Sequence, residues 1–245
     1  MAPFHIGALV YNYQAIDVIG PFDLLNSSGK ALLTALTYYT PAIDEALLSR
    51  APDFVFHHIG QSLEPVHLLS SSITIVPTTT LEDCPQLDAL LIGGPNIADF
   101  ELSPKYADFI RDHVASGKLV FSTCTGSGVL ASTGVLDGKT ATINNFEYAY
   151  TIREYPKVNW TKEQKWVVDG NIWTGSGAVA GMDMIAHWIK ENYGLDVLTL
   201  GAAGLDYEPR DIGGRFDTVL KQRKTQRLLL QAPLLKSRED ILQRL

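Results

Sequence analysis

Residues 119–130 read Leu119-Val-Phe-Ser-Thr-Cys124-Thr-Gly-Ser-Gly-Val-Leu130. A short apolar run stops abruptly at a cysteine, and small residues then open a helical stretch. This is the layout of a nucleophile elbow, a sharp strand-to-helix turn that presents one side chain. The first turn of a helix carries free N–H groups and partial positive charge. Both lower a thiol pKa, so Cys124 is expected to be a thiolate near neutral pH.

The pattern around the elbow sets the fold. Upstream, Asp88 to Ile92 is an apolar strand ending in Gly93-Gly94-Pro95. Between the two strands, Pro104 to Ser116 shows helical spacing, with Tyr106, Phe109, Ile110 and Val114 on one face and Gly117 as a stop. Phe4–Val10, Asp53–Ile59 and Ser72–Val76 read as further strands, and Thr140–Ile143 as a strand edge. Residues 17–26 carry Val18, Phe22 and Leu25 at helical spacing, with Pro21 suited to a first turn. Helical patterns also cover 30–50, 145–155 and 178–193, and Asp169-Gly170-Asn171 turns between two short strands. Apolar strands alternating with helices predict an α/β fold, a three-layer sandwich with a mostly parallel sheet. Such a sheet binds ligands at the carboxyl ends of its strands. Three segments end there: Gly93-Gly94, Cys124, and the loop after Val10.

Composition narrows the function classes. The chain has 245 residues, 46% hydrophobic and 19% charged, so it can bury a core without disulfide staples. Its net charge, 20 − 27 = −7, is spread without long runs and argues against a general nucleic-acid partner. Its two cysteines, Cys84 and Cys124, form no metal-type spacing, so no metal site is expected. No segment is apolar enough to span a membrane, and Met1 to Val10 reads as a strand rather than a leader, so a cytoplasmic protein is expected. Residues 1–194 are expected to form the α/β domain and 195–245 a helical extension on the core or on a partner subunit. Too little material follows Gly194 for a helix-turn-helix DNA reader.

A catalytic cysteine ordinarily needs a base. None of His5, His57, His58, His67, His113 and His187 falls at a strand end beside the elbow. Asp17, after the first strand, lies at another carboxyl end, although Asp also favours helix N-caps. Cys84, in Glu82-Asp83-Cys84-Pro85, has acidic neighbours that disfavour its thiolate.

These residues resemble the ThiJ/PfpI superfamily, which has a class I glutamine amidotransferase-like fold. Four stretches in order carry the resemblance: Asp17-Val-Ile-Gly-Pro-Phe-Asp-Leu-Leu, Asp88-Ala-Leu-Leu-Ile-Gly-Gly, Thr123-Cys-Thr-Gly-Ser-Gly-Val-Leu-Ala, and Trp173-Thr-Gly-Ser-Gly-Ala-Val-Ala-Gly-Met-Asp-Met. The Cys-Thr-Gly-Ser elbow with Asp-x-x-Gly-Pro is similar to the isonitrile (isocyanide) hydratase branch. The resemblance implies Cys124 as nucleophile, Asp17 as its acid/base partner, and Thr125, Gly93 and Gly94 around the substrate. It also implies a small-molecule substrate, no cofactor and a homodimer. Protease- and amidotransferase-like members place a histidine about twenty residues beyond the cysteine; here stand Asn144 and Asn145, expected to orient substrate and water. Two further departures are Trp173-Thr-Gly-Ser-Gly, where many members read Thr-Ser-Gly-Gly, and the tail after Gly194. A deglycase or glyoxalase would use the same cysteine with a glutamate on the first helix, but no Glu occurs before Glu45. A redox sensor or chaperone is the non-enzymatic alternative.

Overall fold

The computed structural model describes residues 2–40 and 43–214. In chain order its elements are β1 (Phe4–Leu9), α1 (Ile16–Ser27), α2 (Lys30–Leu36), α3 (Glu45–Arg50), β2 (Phe54–Gly60), β3 (Val66–His67), β4 (Thr74–Ile75), β5 (Thr79–Thr80) and β6 (Ala89–Ile92). Then follow α4 (Pro104–Ala115), β7 (Leu119–Thr123), α5 (Gly126–Ser132), β8 (Thr140–Ala141), α6 (Tyr148–Glu154), β9 (Asn159–Trp160), β10 (Trp166–Asp169), β11 (Ile172–Gly175), α7 (Ala178–Tyr193) and α8 (Leu195–Gly204).

Seven strands form one sheet in the order β10-β11-β7-β6-β1-β2-β5. All its pairings are parallel except β10 with β11. The steps β1 to β2 and β6 to β7 run in opposite directions across the sheet. Right-handed crossovers therefore put α1 and α4 on opposite faces. Helices α7 and α8 pack with α1, and α5 packs on β6 and β7. Both faces of the sheet are covered, so β6 is buried at every position. The strand order reverses between β1 and β6, which opens a crevice at their carboxyl ends. The elbow after β7 lies one strand away.

Aromatic packing fixes the α7 face. Trp188 lies in the core, with ring centroids 5.3 Å from Phe4 and 5.6 Å from Phe121. Such pairs contribute about 0.5–1.5 kcal/mol each beyond their area.

Several local expectations need correction. The 30–50 stretch is two helices, the helix expected from 145 starts at Tyr148, and the Ser72–Val76 strand shrinks to a two-residue partner of β3. Asp17 lies in the first turn of α1 rather than in a loop, and Pro21 sits inside that helix. The two-residue strands β3, β5 and β9 are too short to show a period. Helix α8 is apolar nearly all round, so no stripe marks it in the sequence; a Cβ on its Gly201 would lie 2.0 Å from Ser28 Oγ. The leucine-bearing stretch from 215 to 245, expected to be helical, lies outside the described residues. Among the described residues, no helix is long and apolar enough to cross a membrane.

Candidate active site

The elbow is strained. Cys124 adopts φ 56°, in the left-handed region that costs a non-glycine residue about 1–2 kcal/mol. Its surroundings hold it there. The Cys124 N–H donates to the Gly175 carbonyl at 3.0 Å, and the Thr125 hydroxyl donates to the Pro95 carbonyl at 2.7 Å. The hydroxyls of Ser122 and Ser127 meet at 2.9 Å, tying the end of β7 to α5. On the other side α7 comes close enough that a Cβ on Gly181 would lie 2.1 Å from Thr123 Cγ2. Strain of this kind, held by its surroundings, clusters at functional sites, which makes the elbow the candidate.

Pro21 explains how α1 is docked beside the elbow. In a helix the N–H of residue 21 would bond the carbonyl of residue 17, but proline has none. The orphaned Asp17 carbonyl instead accepts the Thr123 hydroxyl at 2.9 Å. Thr123 is the residue before Cys124, so the defect in one helix becomes its bond to the elbow strand.

The Asp17 side chain is fully buried. Its Oδ2 accepts the Gly94 N–H at 2.8 Å, while its Oδ1 is sealed from solvent without a partner. Gly94 has to be glycine, because a Cβ there would lie 2.3 Å from Thr125 Oγ1 and 2.8 Å from Asp17 Oδ2. Burial pushes the Asp17 carboxyl up from 3.8 to about 7, against the Gly94 hydrogen bond, which lowers it.

Cys124 is 7% exposed. Burial first, then the charge of Asp17, pushes its thiol up to about 11, while the hydrogen bonds from Asn144 and the Thr125 N–H pull it down. This corrects the expectation of a thiolate. Helix α5 has seven residues, and its N-terminal field does not outweigh desolvation and a neighbouring carboxylate. The proton therefore rests on sulfur, and Asp17 is the group that titrates near neutrality.

The remaining expected residues divide. Asn144 Nδ2 donates to Cys124 Sγ at 3.0 Å, and its Oδ1 accepts the Phe146 N–H at 3.0 Å, which fixes the amide orientation. Asn145 is exposed. The Gly94 N–H is committed to Asp17; the Gly93 carbonyl accepts the Tyr11 hydroxyl at 2.7 Å. The histidines are engaged elsewhere: His5 with His57, His67 with Thr74, His113 with the Leu119 carbonyl, His58 against Phe22, and His187 against Trp166 and Trp173. Glu147 escaped the sequence reading. Its charge raises the Cys124 thiol, and one of its oxygens is shielded from water without a partner. A cavity of about 560 Å³ opens on the outer side of α1, lined by Gln14, Ile16, Ile19, Ser70, Met182 and Leu205 among others. Neither Cys124 nor Asp17 lines it.

A doubly covered, mostly parallel sheet carrying a strained cysteine elbow defines a class I glutamine amidotransferase-like protein. The family model "DJ-1/PfpI family" matches residues 8–191, and the chain belongs to that family. It is 32% identical over 248 aligned positions to an isonitrile hydratase of Pseudomonas putida, covering 98% of this chain and 95% of that protein. It is 26% identical to an HTH-type transcriptional regulator of Pseudomonas aeruginosa over 128 residues, 52% of this chain and 35% of the regulator. Its fold is shared by a ThiJ/PfpI family protein from Pseudomonas syringae, with a TM-score of 0.66, 23% identity, and 95% and 87% of the two chains covered.

Proposed function

We propose that the protein is an enzyme that adds water to a small isonitrile and releases an N-substituted formamide, with Cys124 as nucleophile and Asp17 as proton carrier. The observation that carries this reading is the pairing of Cys124 with a buried aspartate instead of a histidine. That aspartate has one oxygen anchored by Gly94 and the other open. The near full-length likeness to an isonitrile hydratase supports the choice of substrate class.

The terminal carbon of an isonitrile is a soft electrophile, and sulfur is its matching nucleophile. Asp17 as carboxylate takes the thiol proton while sulfur attacks that carbon. The same proton passes to the carbon, giving a thioimidate, R–N=CH–S–Cys124, and regenerating the carboxylate. Water then adds to the thioimidate carbon, one of its protons reaching the nitrogen. Collapse of R–NH–CH(OH)–S–Cys124 breaks the C–S bond, leaves R–NH–CHO and returns the last proton to sulfur. The sum is one isonitrile and one water consumed, with no metal or organic cofactor called upon. Asn144 steadies the sulfur, and Thr125 and Gly94 keep the elbow against Asp17.

The same geometry speaks against the sensor alternative. Oxidation follows thiolate character and exposure, and Cys124 has little of either. The discriminating experiment mixes the protein with simple alkyl isonitriles and, separately, with methylglyoxal. Formamide from the isonitriles, lost in Cys124→Ala, is expected. Lactate from methylglyoxal without formamide would contradict the proposal. We also propose a small-molecule-acting homodimer, for which light scattering should return twice the chain mass.

A further inference from the structure

The loop that follows Asn144 has its polarity reversed. Phe146 is 95% exposed, whereas its neighbour Glu147 is half-buried and keeps Oε2 out of contact with water and without a hydrogen-bond partner. An exposed phenylalanine beside an inward, unpaired carboxylate runs against the ordinary rule on both counts. Such local violations are kept where a site needs them.

The loop is also held in place. Asn144 is fastened at both ends of its amide, to Cys124 Sγ and to the Phe146 N–H, which sets the direction of the chain into Glu147. The Glu147 carbonyl then accepts both the N–H and the hydroxyl of Thr151, each at 2.9 Å, anchoring the start of α6. Its charge reaches the sulfur, as that of Asp17 does. Cys124 thus lies under the influence of two carboxylates, each with an oxygen left open.

We infer that Glu147 is a second base, whose carboxylate holds and deprotonates the water that attacks the Cys124 thioimidate, while Asp17 serves the first addition and returns the last proton to the departing sulfur. This inference deepens the isonitrile reading and rests on it. In the second half-reaction Glu147 takes one proton from water as the hydroxyl oxygen bonds to the thioimidate carbon. Glu147 passes that proton to the nitrogen, and the Asp17 carboxylate takes up the remaining hydroxyl proton as the carbonyl forms and the C–S bond breaks. Asp17 then hands its proton to the released sulfur. Both carboxylates end as they began.

The division of labour separates the two half-reactions. In Glu147→Gln, which keeps the side-chain shape, isonitrile should still be consumed at close to the wild-type rate in the first turnover. Steady-state formamide release should fall by at least about 10-fold, in line with loss of a general base. Intact-protein mass spectrometry should show Cys124 carrying one added isonitrile mass. In Glu147→Ala, added formate should recover part of the formamide release by standing in for the missing carboxylate. Wild-type formamide release by Glu147→Gln, equal slowing of both half-reactions, or no recovery by formate would each overturn the inference. Failure of the isonitrile reading looks different: the wild-type protein itself would then form neither adduct nor formamide, and the inference would fall with it.

Discussion

Two aspartates are each fully buried in a helix, and they are treated in opposite ways. Asp183, in α7, has both oxygens occupied. The Tyr207 hydroxyl and the Arg210 N–H donate to Oδ1, and the Arg210 guanidinium donates to Oδ2 at 2.9 Å and 2.7 Å. Asp17, in α1, has one hydrogen bond and one open oxygen. A buried carboxylate is costly unless it is paired and hydrogen-bonded. Asp183 meets that condition and clamps residues 207–210 onto α7, a structural task. Asp17 does not meet it, and the cost appears as a carboxyl raised to about 7 beside the Cys124 sulfur. Burial alone does not tell the two residues apart; the unfilled valence of Asp17 does.

The largest effect expected from breaking the comparison is at Asp183. Asp183→Ala strands Arg210, whose side chain is 25% exposed, and should cost about 3 kcal/mol. That corresponds to a fall in Tm of roughly 6–12 °C by thermal unfolding. Isonitrile turnover below the new Tm should persist. Asp17→Asn should do the reverse, with turnover dropping by at least about 100-fold and stability at alkaline pH rising. The folded-state pKa of Asp17 lies above its ordinary value. Between about 4 and 7 the folded protein therefore retains a proton that the unfolded chain has released. Stability falls as pH rises through that window and stays lower above it. The asparagine variant lacks this loss, so its Tm advantage over wild type should grow from pH 5 to pH 8.

A smaller effect is expected at Thr123. Thr123→Val keeps the shape but leaves the Asp17 carbonyl unbonded, at a cost of about 1–3 kcal/mol, with a loss of turnover smaller than that of Asp17→Asn. Least is expected of Asn144→Ala. Removing the donor to sulfur should lift the thiol pKa further, seen as a thiolate absorbance titrating at higher pH, and slow the first half-reaction by about 10-fold. A Thr123 variant indistinguishable from wild type in both stability and turnover would sever the link drawn from Pro21 to the elbow.

The same contrast explains what the chain reveals before folding. The apolar runs at 88–92 and 119–123 and the small residues after Cys124 make the sheet and the elbow readable, because each depends on local pattern. Asp17 is readable as a candidate partner from its place after the first strand. Its ionisation is not, because that depends on how many atoms close over it. The thiolate expectation failed for this reason: the helix N-terminus is visible in sequence, while the burial that outweighs it is not. Pro21 looks like a first-turn proline, and only the carbonyl it leaves free shows why it sits deeper in the helix. Glu147 is hidden by its neighbour Phe146, since sequence reasoning places the phenylalanine inside and the glutamate outside.

In the proposed reaction, the open carboxylate of Asp17 governs the reactivity of Cys124. The most direct test is the pH dependence of kcat/KM for formamide production by wild type and by Asp17→Asn. With the Asp17 carboxyl near 7 and the Cys124 thiol near 11, the wild-type rate should rise through about pH 7 to a plateau. The residual rate of Asp17→Asn should show no inflection there. An inflection near 7 that survives in Asp17→Asn, or a wild-type profile with none, would contradict it.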